Sequence, residues 1–226
     1  DEVDAQGLQN ILNSFLQEGQ VFNIDHYLAK ETARAITEFR FKDGSLESIW
    51  DSAHISKVKI IFHESNMVGS RGASYDKVGA FRDVGENHML ELLALVVMSK
   101  PQHVDADSIR NSRTKALQNL YIYYDKNITK GQYQSYLSSP GVNPNSTTET
   151  FFRIFLKSHD ARFVDTEFEL ESGKGLVDMG SEITSTTVAI QVYFKNGDMK
   201  EFTIQPLLGT VYDSYTKVYE DAIKGD

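Results

Sequence analysis

Residues 188–204 read VAIQVYFKNGDMKEFTI. Apolar side chains occupy every second position of residues 188–194, and Phe202 and Ile204 continue the alternation, which is the period of a β-strand with one buried face. Between the two halves, Asn196-Gly197 is the strongest short hairpin signal in the sequence, because both residue types tolerate the positive φ angles of a two-residue turn. The stretch therefore predicts an antiparallel hairpin.

Upstream of this hairpin, strands and helices divide the chain. Alternation recurs in residues 58–62 and 151–156, whereas the apolar side chains of residues 8–16 have the spacing of an amphipathic helix. The longest predicted helix spans residues 81–99, and a last amphipathic helix is predicted over residues 212–223. Because helices come early and antiparallel strands late, the sequence predicts the α+β class, with a mostly antiparallel sheet and helices packed on one face.

The bulk composition describes one globular domain over residues 1–226. Of the 226 residues, 40% are hydrophobic and 24% are charged, which suffices for one sizeable core. A net charge of −9 repels nucleic acid and anionic membranes, so neither is expected as a partner. No apolar run approaches the roughly 18 residues of a membrane span. The lack of cysteine excludes disulfide frameworks and thiolate sites, which leaves a cytoplasmic enzyme as the default expectation.

Residues 25–30 offer a candidate anion site. If Asp25 caps a helix, His26 and Lys30 lie four residues apart on one face, close to the backbone N–H groups that favour anions. Such an arrangement would suit a phosphate group. The alternative is an N-cap aspartate followed by ordinary surface residues, and the spacing alone favours this second interpretation.

His88 is the candidate general base. It follows the polar residues 83–87 and directly precedes an apolar, buried stretch of helix. At such a border, a histidine paired with a carboxylate can accept a proton. The alternative is a histidine hydrogen-bonded within the core, and the sequence does not separate the two.

Two more charged residues stand at informative places. Glu64 continues the apolar face of the strand at residues 58–62, which directs its carboxylate toward the interior, where it needs a partner or a ligand. Lys174 lies between Gly173 and Gly175, whose lack of side chains lets the backbone approach a ligand. Each residue also has an ordinary explanation. Glu64 can be the last residue before a loop, and Lys174 can be a solvated lysine.

Several common signatures are missing from the sequence. Gly173 and Gly175 do not extend to the GxGxxG fingerprint of a dinucleotide site, because Asp178 stands where the third glycine belongs. The six histidines show no HExxH or similar ligand spacing, so no metal site is expected. A GxSxG nucleophile elbow is absent as well.

The chain resembles the glucose-6-phosphate dehydrogenases in blocks that follow that family's order. Residues 24–31, IDHYLAKE, resemble the signature RIDHYLGKE, and residues 82–90, RDVGENHML, resemble RDVMQNHLL. Further on, residues 146–151 (STTETF) and 172–174 (SGK) are similar to a strand entry and a turn of the family, and Ile204-Gln205-Pro206 is similar to its IRVQP strand. Chance would not order so many matches over nearly the whole chain.

The resemblance implies a role for each matching residue. The substrate phosphate would be held by His26, Tyr27 and Lys30. The sugar hydroxyls would be bound by Glu64, Asp83, Lys174 and Gln205. His88 would accept the proton of the anomeric hydroxyl while Asp25 orients its imidazole, and hydride would leave C1 for a nicotinamide.

The same resemblance implies partners and a cofactor. Family members carry a Rossmann domain upstream, so NADP would be the cofactor of the full enzyme, bound by a separate or upstream nucleotide-binding domain that this chain lacks. Glucose 6-phosphate would be the ligand, and a homodimer would form through the sheet. The chain departs from the pattern at Asn23, Ala29 and Glu86, which replace an arginine, a glycine and a glutamine; none of these removes a named catalytic group.

Two classes of function remain after this comparison. In the first, the chain is the substrate domain of an authentic dehydrogenase, and it is inactive by itself because hydride transfer requires a positioned acceptor. In the second, it is a non-catalytic relative that senses sugar phosphate or serves as a dimerisation module. The intact set of site residues favours the first, and the short tail after Gln205 favours the second.

Overall fold

The computed structural model describes residues 2–17, 20–21, 24–42, 44–103, 105–124, 126, 128–176, 186–204, 216 and 218–219. Within these ranges a single sheet packs against a layer of helices, which confirms the α+β class and the mostly antiparallel sheet. Gln205 and nearly all of the helix predicted over residues 212–223 lie outside the described residues.

The helical layer is built around an apolar segment in the middle of the chain. The helices in the described ranges are α1 (Glu2–Phe15), α2 (Glu31–Phe41), the short α3 (Gly72–Tyr75), a π-helical stretch (Phe81–Met89), α4 (Leu90–Val97), which continues it, and α5 (Ala106–Gln118). The buried residues of the layer come from α2, the π-helical stretch, α4 and α5. The residues from Leu92 to Val97 are all buried, because α4 is apolar nearly all round. None of the helices in the described part of the chain combines the length and apolar composition that a membrane crossing requires.

The sheet contains seven strands among the described residues. They are β1 (Ile55–Glu64), β2 (Leu120–Ile122), β3 (Thr129–Gly131), β4 (Phe151–Ser158), β5 (Glu167–Lys174), β6 (Thr187–Phe194) and β7 (Met199–Ile204). Their order is β2-β4-β5-β1-β6-β7, with β3 also paired to β4. The β1–β5 pair is parallel and the others are antiparallel. β6 and β7 form the predicted hairpin, but the turn is longer than two residues: the last strand pair is Tyr193 with Met199, and only Gly197 of the Asn196-Gly197 pair has a positive φ, at 96°.

The two faces of the sheet differ in chemistry. On β1, Val58, Ile60 and Phe62 are buried against the helical layer, as the alternation predicted. The opposite face carries charged side chains that pair across strands, such as Lys59 with Glu171 at 3.3 Å. One face therefore makes the core, and the other is held by ion pairs.

Residues 25–30 do not form the predicted helix. They make successive turns, and α2 begins only at Glu31. The Tyr27 N–H donates to Asp25 Oδ1 at 2.8 Å, and the Leu28 N–H donates to the Asp25 carbonyl at 3.1 Å. The aspartate thus folds the backbone into a side-chain-supported turn, an alternative that Asp residues offer to a helix.

The first half of the helix predicted over residues 81–99 is π-helical. The Leu90 N–H donates to the Gly85 carbonyl, five residues earlier. In a π-helix, residues five apart lie near one turn apart, so Asp83 and His88 share one side of the stretch. In an α-helix the same two residues would diverge around the axis. The helix type therefore decides where these two side chains point.

Candidate functional site

The centre of the candidate site is a carboxylate–imidazole pair. His88 Nδ1 lies 2.7 Å from Asp25 Oδ2, although 63 positions separate the two residues in the chain. Both side chains are mostly buried, at 16% and 13% exposure. Because a carboxylate only accepts hydrogen bonds, Nδ1 carries the proton in this pair, and the lone pair of neutral His88 is on Nε2.

The electrostatics of Asp25 favour its ionised form. Burial by itself raises the pKa of Asp25, but the hydrogen bond and the charge of His88 together with the Tyr27 N–H outweigh it, and the pKa lies below the ordinary value. For His26, burial and the nearby charge of His88 lower the pKa. Asp25 is thus a stable acceptor for His88, and the neutral form of His26 is favoured beside it.

Aromatic contacts hold the pair in place. The Tyr27 ring lies 4.5 Å from the His88 ring and 5.0 Å from the Phe62 ring, measured between centroids. The His26 ring meets the His88 ring edge-on at 4.8 Å. Lys30 Nζ lies 4.5 Å from the centre of the Tyr27 ring. The turn at residues 25–30 thus places His26 and Lys30, which the sequence analysis put on one helical face, next to the Tyr27 ring.

A second cluster surrounds Lys174. This lysine is the last residue of β5 rather than part of a turn, and its side chain is 3% exposed. Its ammonium group pairs with Glu64 at the end of β1, and it lies 2.9 Å from Asp83 Oδ2. Parallel pairing of β1 with β5 sets Glu64 directly beside Lys174. Lys174 is therefore a buried, paired lysine and not the solvated one of the ordinary explanation.

Two residues near this cluster were not predicted from the sequence as site residues. Tyr75 lies with its ring centre 5.6 Å from Lys174 Nζ, and burial followed by the charge of Asp83 raises its pKa. Glu149 anchors the start of the π-helical stretch, since its side chain accepts from the Phe81 N–H at 3.2 Å and its carbonyl accepts from the Ala80 N–H at 3.0 Å. Glu149 falls inside the STTETF block, which was the available signal.

The π-helical stretch joins the two clusters. It carries Asp83, which contacts Lys174, and His88, which contacts Asp25. The structure thereby brings together the predicted site residues that it describes, in two clusters linked by one helix and by the Tyr27–Phe62 contact. Gln205 lies outside the described residues. A metal-ligand set also arises that spacing did not reveal, since Asp25, His26 and His88 each offer one ligand atom within 4.8 Å of the others.

Comparisons with known proteins identify the family. Residues 37–208 match the family model described as glucose-6-phosphate dehydrogenase, C-terminal domain, and residues 1–35 match the model of the NAD binding domain of that enzyme. A glucose-6-phosphate 1-dehydrogenase from Streptococcus pneumoniae is 34% identical over 240 aligned residues, covering 100% of this chain and 47% of the relative. The cytoplasmic isoform from Solanum tuberosum is 32% identical over 183 residues, covering 81% of this chain and 36% of the relative.

A solved structure is similar as well. A glucose-6-phosphate dehydrogenase in complex with its substrate glucose-6-phosphate shares 25% identity and a TM-score of 0.79, covering 98% of this chain and 55% of the other. The chain spans about half the length, or less, of each of these proteins. Because the C-terminal-domain model matches residues 37–208, the chain belongs to the glucose-6-phosphate dehydrogenase family.

Proposed function

We propose that this chain is the part of an NADP-dependent glucose-6-phosphate dehydrogenase that binds glucose 6-phosphate and removes the proton of its anomeric hydroxyl. The observation that carries the proposal is the 2.7 Å contact between His88 Nδ1 and Asp25 Oδ2. It unites two separate family blocks into one carboxylate–histidine pair, the arrangement that makes an imidazole an oriented base. The substrate named for the solved relative supports the choice of ligand.

The proposed proton transfer uses Nε2 of His88. That nitrogen would accept the proton of the C1 hydroxyl as the C1–O bond becomes a carbonyl and hydride leaves C1, which gives the lactone. The buried, ionised Asp25 would stabilise the imidazolium that forms. General-base catalysis of this kind contributes roughly 10²–10⁴ in rate.

The phosphate of the sugar would be held at the turn of residues 25–30. Lys30 supplies a cation in a chain whose net charge is −9, so it would offset the phosphate charge locally. His26 and Tyr27 supply polar groups on the same turn. Their ring contacts with each other and with His88 support a common placement of phosphate site and base.

The sugar hydroxyls would be bound around Lys174. A hydroxyl both donates and accepts, so it can bridge a carboxylate and an ammonium group. Glu64 and Asp83 provide carboxylates, and both contact the ammonium group of Lys174. Gln205 would add a side-chain amide, by resemblance to the family's IRVQP strand.

The coenzyme would be held mainly by residues outside this chain. The sequence has no GxGxxG fingerprint, so its own residues do not provide a nucleotide cradle. On α1, the side chains of Leu8, Ile11 and Phe15 are 58%, 60% and 83% exposed, and this helix lies in the region that matches the NAD-binding-domain model. We infer that the remainder of a coenzyme domain covers this apolar face. When bound, NADP would accept the hydride.

Further parts of the proposal rest on the family. A homodimer through the ion-paired face of the sheet is the expected assembly. A cytoplasmic location is expected by analogy with the Solanum tuberosum isoform. Residues 1–226 would form one folding unit that requires a coenzyme domain for turnover.

The first test is calorimetric titration of the 226-residue chain with glucose 6-phosphate and, separately, with glucose. We expect glucose 6-phosphate to bind, glucose to bind at least tenfold more weakly, and Lys30→Met to remove the difference. Lys100→Met, which changes an exposed lysine, is the matched control. No binding of glucose 6-phosphate, or turnover with NADP by the isolated chain, would contradict the proposal.

The second test measures the base directly. The chain would be fused to the coenzyme domain of the Streptococcus pneumoniae relative, and His88→Gln should lower kcat by roughly 10²–10⁴ while changing KM little. Asp25→Asn should also lower kcat, because the amide can stabilise the wrong imidazole tautomer. Asp107→Asn, at an exposed carboxylate, is the control. An unchanged kcat in His88→Gln would exclude it as the base.

A further inference from the structure

We propose that Asp25, His26 and His88 form a binding site for Zn²⁺ that switches the proposed base off. The three residues each offer one ligand atom, and these atoms lie within 4.8 Å of one another. No other such group of three occurs in the described part of the chain. The inhibitory part of this inference rests on the function proposed above, whereas the binding part does not.

The geometry is close to that of a zinc site with an open position. Zinc takes imidazole nitrogens and carboxylate oxygens at about 2.0–2.2 Å, and three protein ligands plus water are a common set. Tetrahedral bonds of that length put the ligand atoms about 3.4 Å apart, so atoms that now lie within 4.8 Å of one another must approach by no more than about 1.4 Å. Side-chain torsions can supply this movement, because Asp25 and His26 lie in turns rather than in a helix.

The ligand types select the kind of metal. Two imidazoles and one carboxylate suit Zn²⁺ and neighbouring transition metals, whereas Mg²⁺ and Ca²⁺ prefer sets made of oxygen alone. His88 and Asp25 are 16% and 13% exposed, so the pair is shielded but still accessible to an ion. The charge of Lys30 acts on His26 and opposes a cation. The site should therefore bind zinc more weakly than a structural site made of cysteines.

Metal binding would compete with both proposed roles of the site. If zinc binds Nε2 of His88, the metal occupies the lone pair that would accept the substrate proton. If zinc binds Nδ1, the ring proton moves to Nε2, which then has no free lone pair. In both cases Asp25 is a metal ligand and no longer orients the ring. His26 would also be withdrawn from the phosphate site. Zinc and glucose 6-phosphate should consequently exclude each other, which makes the metal a competitive regulator of this domain.

The binding test uses the 226-residue chain with Zn²⁺ by calorimetry and with Co²⁺ by absorption, because tetrahedral Co²⁺ has distinctive visible bands. We expect one equivalent to bind and at least a tenfold loss of affinity in His26→Gln and in His88→Gln. His54→Gln is the matched control, since His54 pairs with Asp51 at 2.7 Å but belongs to no such three-residue group. Its affinity should equal that of the unaltered chain.

A second readout guards against variants that fail to fold. In the unaltered chain, Zn²⁺ should shift the NMR signals of the His26 and His88 rings and leave that of His54 in place. Binding of no metal by the unaltered chain, or zinc binding by both site variants with the affinity of the unaltered chain, would overturn the inference. So would simultaneous binding of zinc and glucose 6-phosphate. Failure of glucose 6-phosphate to bind without metal would contradict the proposed function and leave the zinc site intact.

Discussion

Lys174 Nζ lies 2.9 Å from Asp83 Oδ2, and the same ammonium group contacts Glu64. Lys174 therefore ties the end of β5 to the end of β1 and to the π-helical stretch. We predict that Lys174→Met lowers the free energy of unfolding by about 3–5 kcal/mol, because it leaves two carboxylates facing each other without a cation. Urea denaturation of the 226-residue chain measures this loss.

Two further variants separate lost packing from unpaired charge. Adding Glu64→Gln and Asp83→Asn to Lys174→Met should recover part of the stability. The neutral amides replace the two carboxylates, which would repel each other without the lysine. Lys100→Met should change the free energy of unfolding by less than about 0.5 kcal/mol, as expected for an exposed residue. A loss below about 1 kcal/mol in Lys174→Met would show that the cluster does not hold these elements together.

A second prediction concerns Arg40 of α2, whose buried side chain contacts the C-terminal end of α4. Its guanidinium donates to the carbonyls of Leu95 at 2.7 Å and Met98 at 2.9 Å, and it pairs with Glu47 at 3.0 Å. Arg40→Met should destabilise the chain by about 2–4 kcal/mol, because buried carbonyls lose their donors. Thermal unfolding tests this, with Arg34→Met at an exposed ion pair as the control. Equal stability of the two variants would refute the prediction.

The sequence predicted those parts of the fold that local patterns encode. Alternating apolar residues and Asn196-Gly197 predicted the β6–β7 hairpin, and the same alternation predicted β1. The parallel pairing of β1 with β5 was not predicted, because its register sets Val58 beside Phe168, far away in the chain. β5 itself was missed, since Glu169 and Glu171 are buried by ion pairs and do not mark a solvent face.

The candidate site, like the fold, was predicted only in part from the sequence. The motifs named Asp25 and His88, but only the folded chain brings them to 2.7 Å. The π-helical form of residues 81–89 was not predicted, because α- and π-helices differ by about one residue per turn and share the same apolar pattern. Gly85 packs closely against Phe152 of β4, and a contact between residues so far apart in the chain cannot be predicted from the local sequence.

A third prediction follows from that packing. A Cβ atom on Gly85 would lie 2.8 Å from Phe81 Cδ2 and 2.9 Å from Phe152 Cζ. Gly85→Ala should therefore cost about 1–3 kcal/mol by overpacking, although alanine favours helices. Gly7→Ala in α1, where nothing lies within 4 Å, should be neutral or stabilising by up to about 1 kcal/mol. If urea unfolding shows both substitutions to be stabilising, the close packing at Gly85 is wrong.

The last prediction concerns acid stability and the ion-paired face of the sheet. The hydrogen bond from His63 to Glu171, at 2.9 Å, lowers the pKa of Glu171 most; burial opposes it, Arg153 adds to it, and the pKa falls from 4.5 to about 2. A carboxylate with a lowered folded-state pKa stabilises the fold fully above pH 4.5, and this stabilisation disappears as the pH falls toward 2. This lowering of the pKa of Glu171 corresponds to a contribution of at most about 3 kcal/mol to the free energy of unfolding.

Glu171→Gln tests this dependence. At neutral pH the variant should be less stable than the unaltered chain by on the order of 1–3 kcal/mol. The gap should close as the pH approaches 2, because Glu171 is then protonated in the unfolded chain and increasingly protonated in the folded one. Urea unfolding at a series of pH values measures the gap. Glu38→Gln, at a carboxylate that is 69% exposed, should show little gap at any pH. A gap for Glu171→Gln that stays constant down to pH 2 would mean that the ionised carboxylate does not stabilise this face of the sheet.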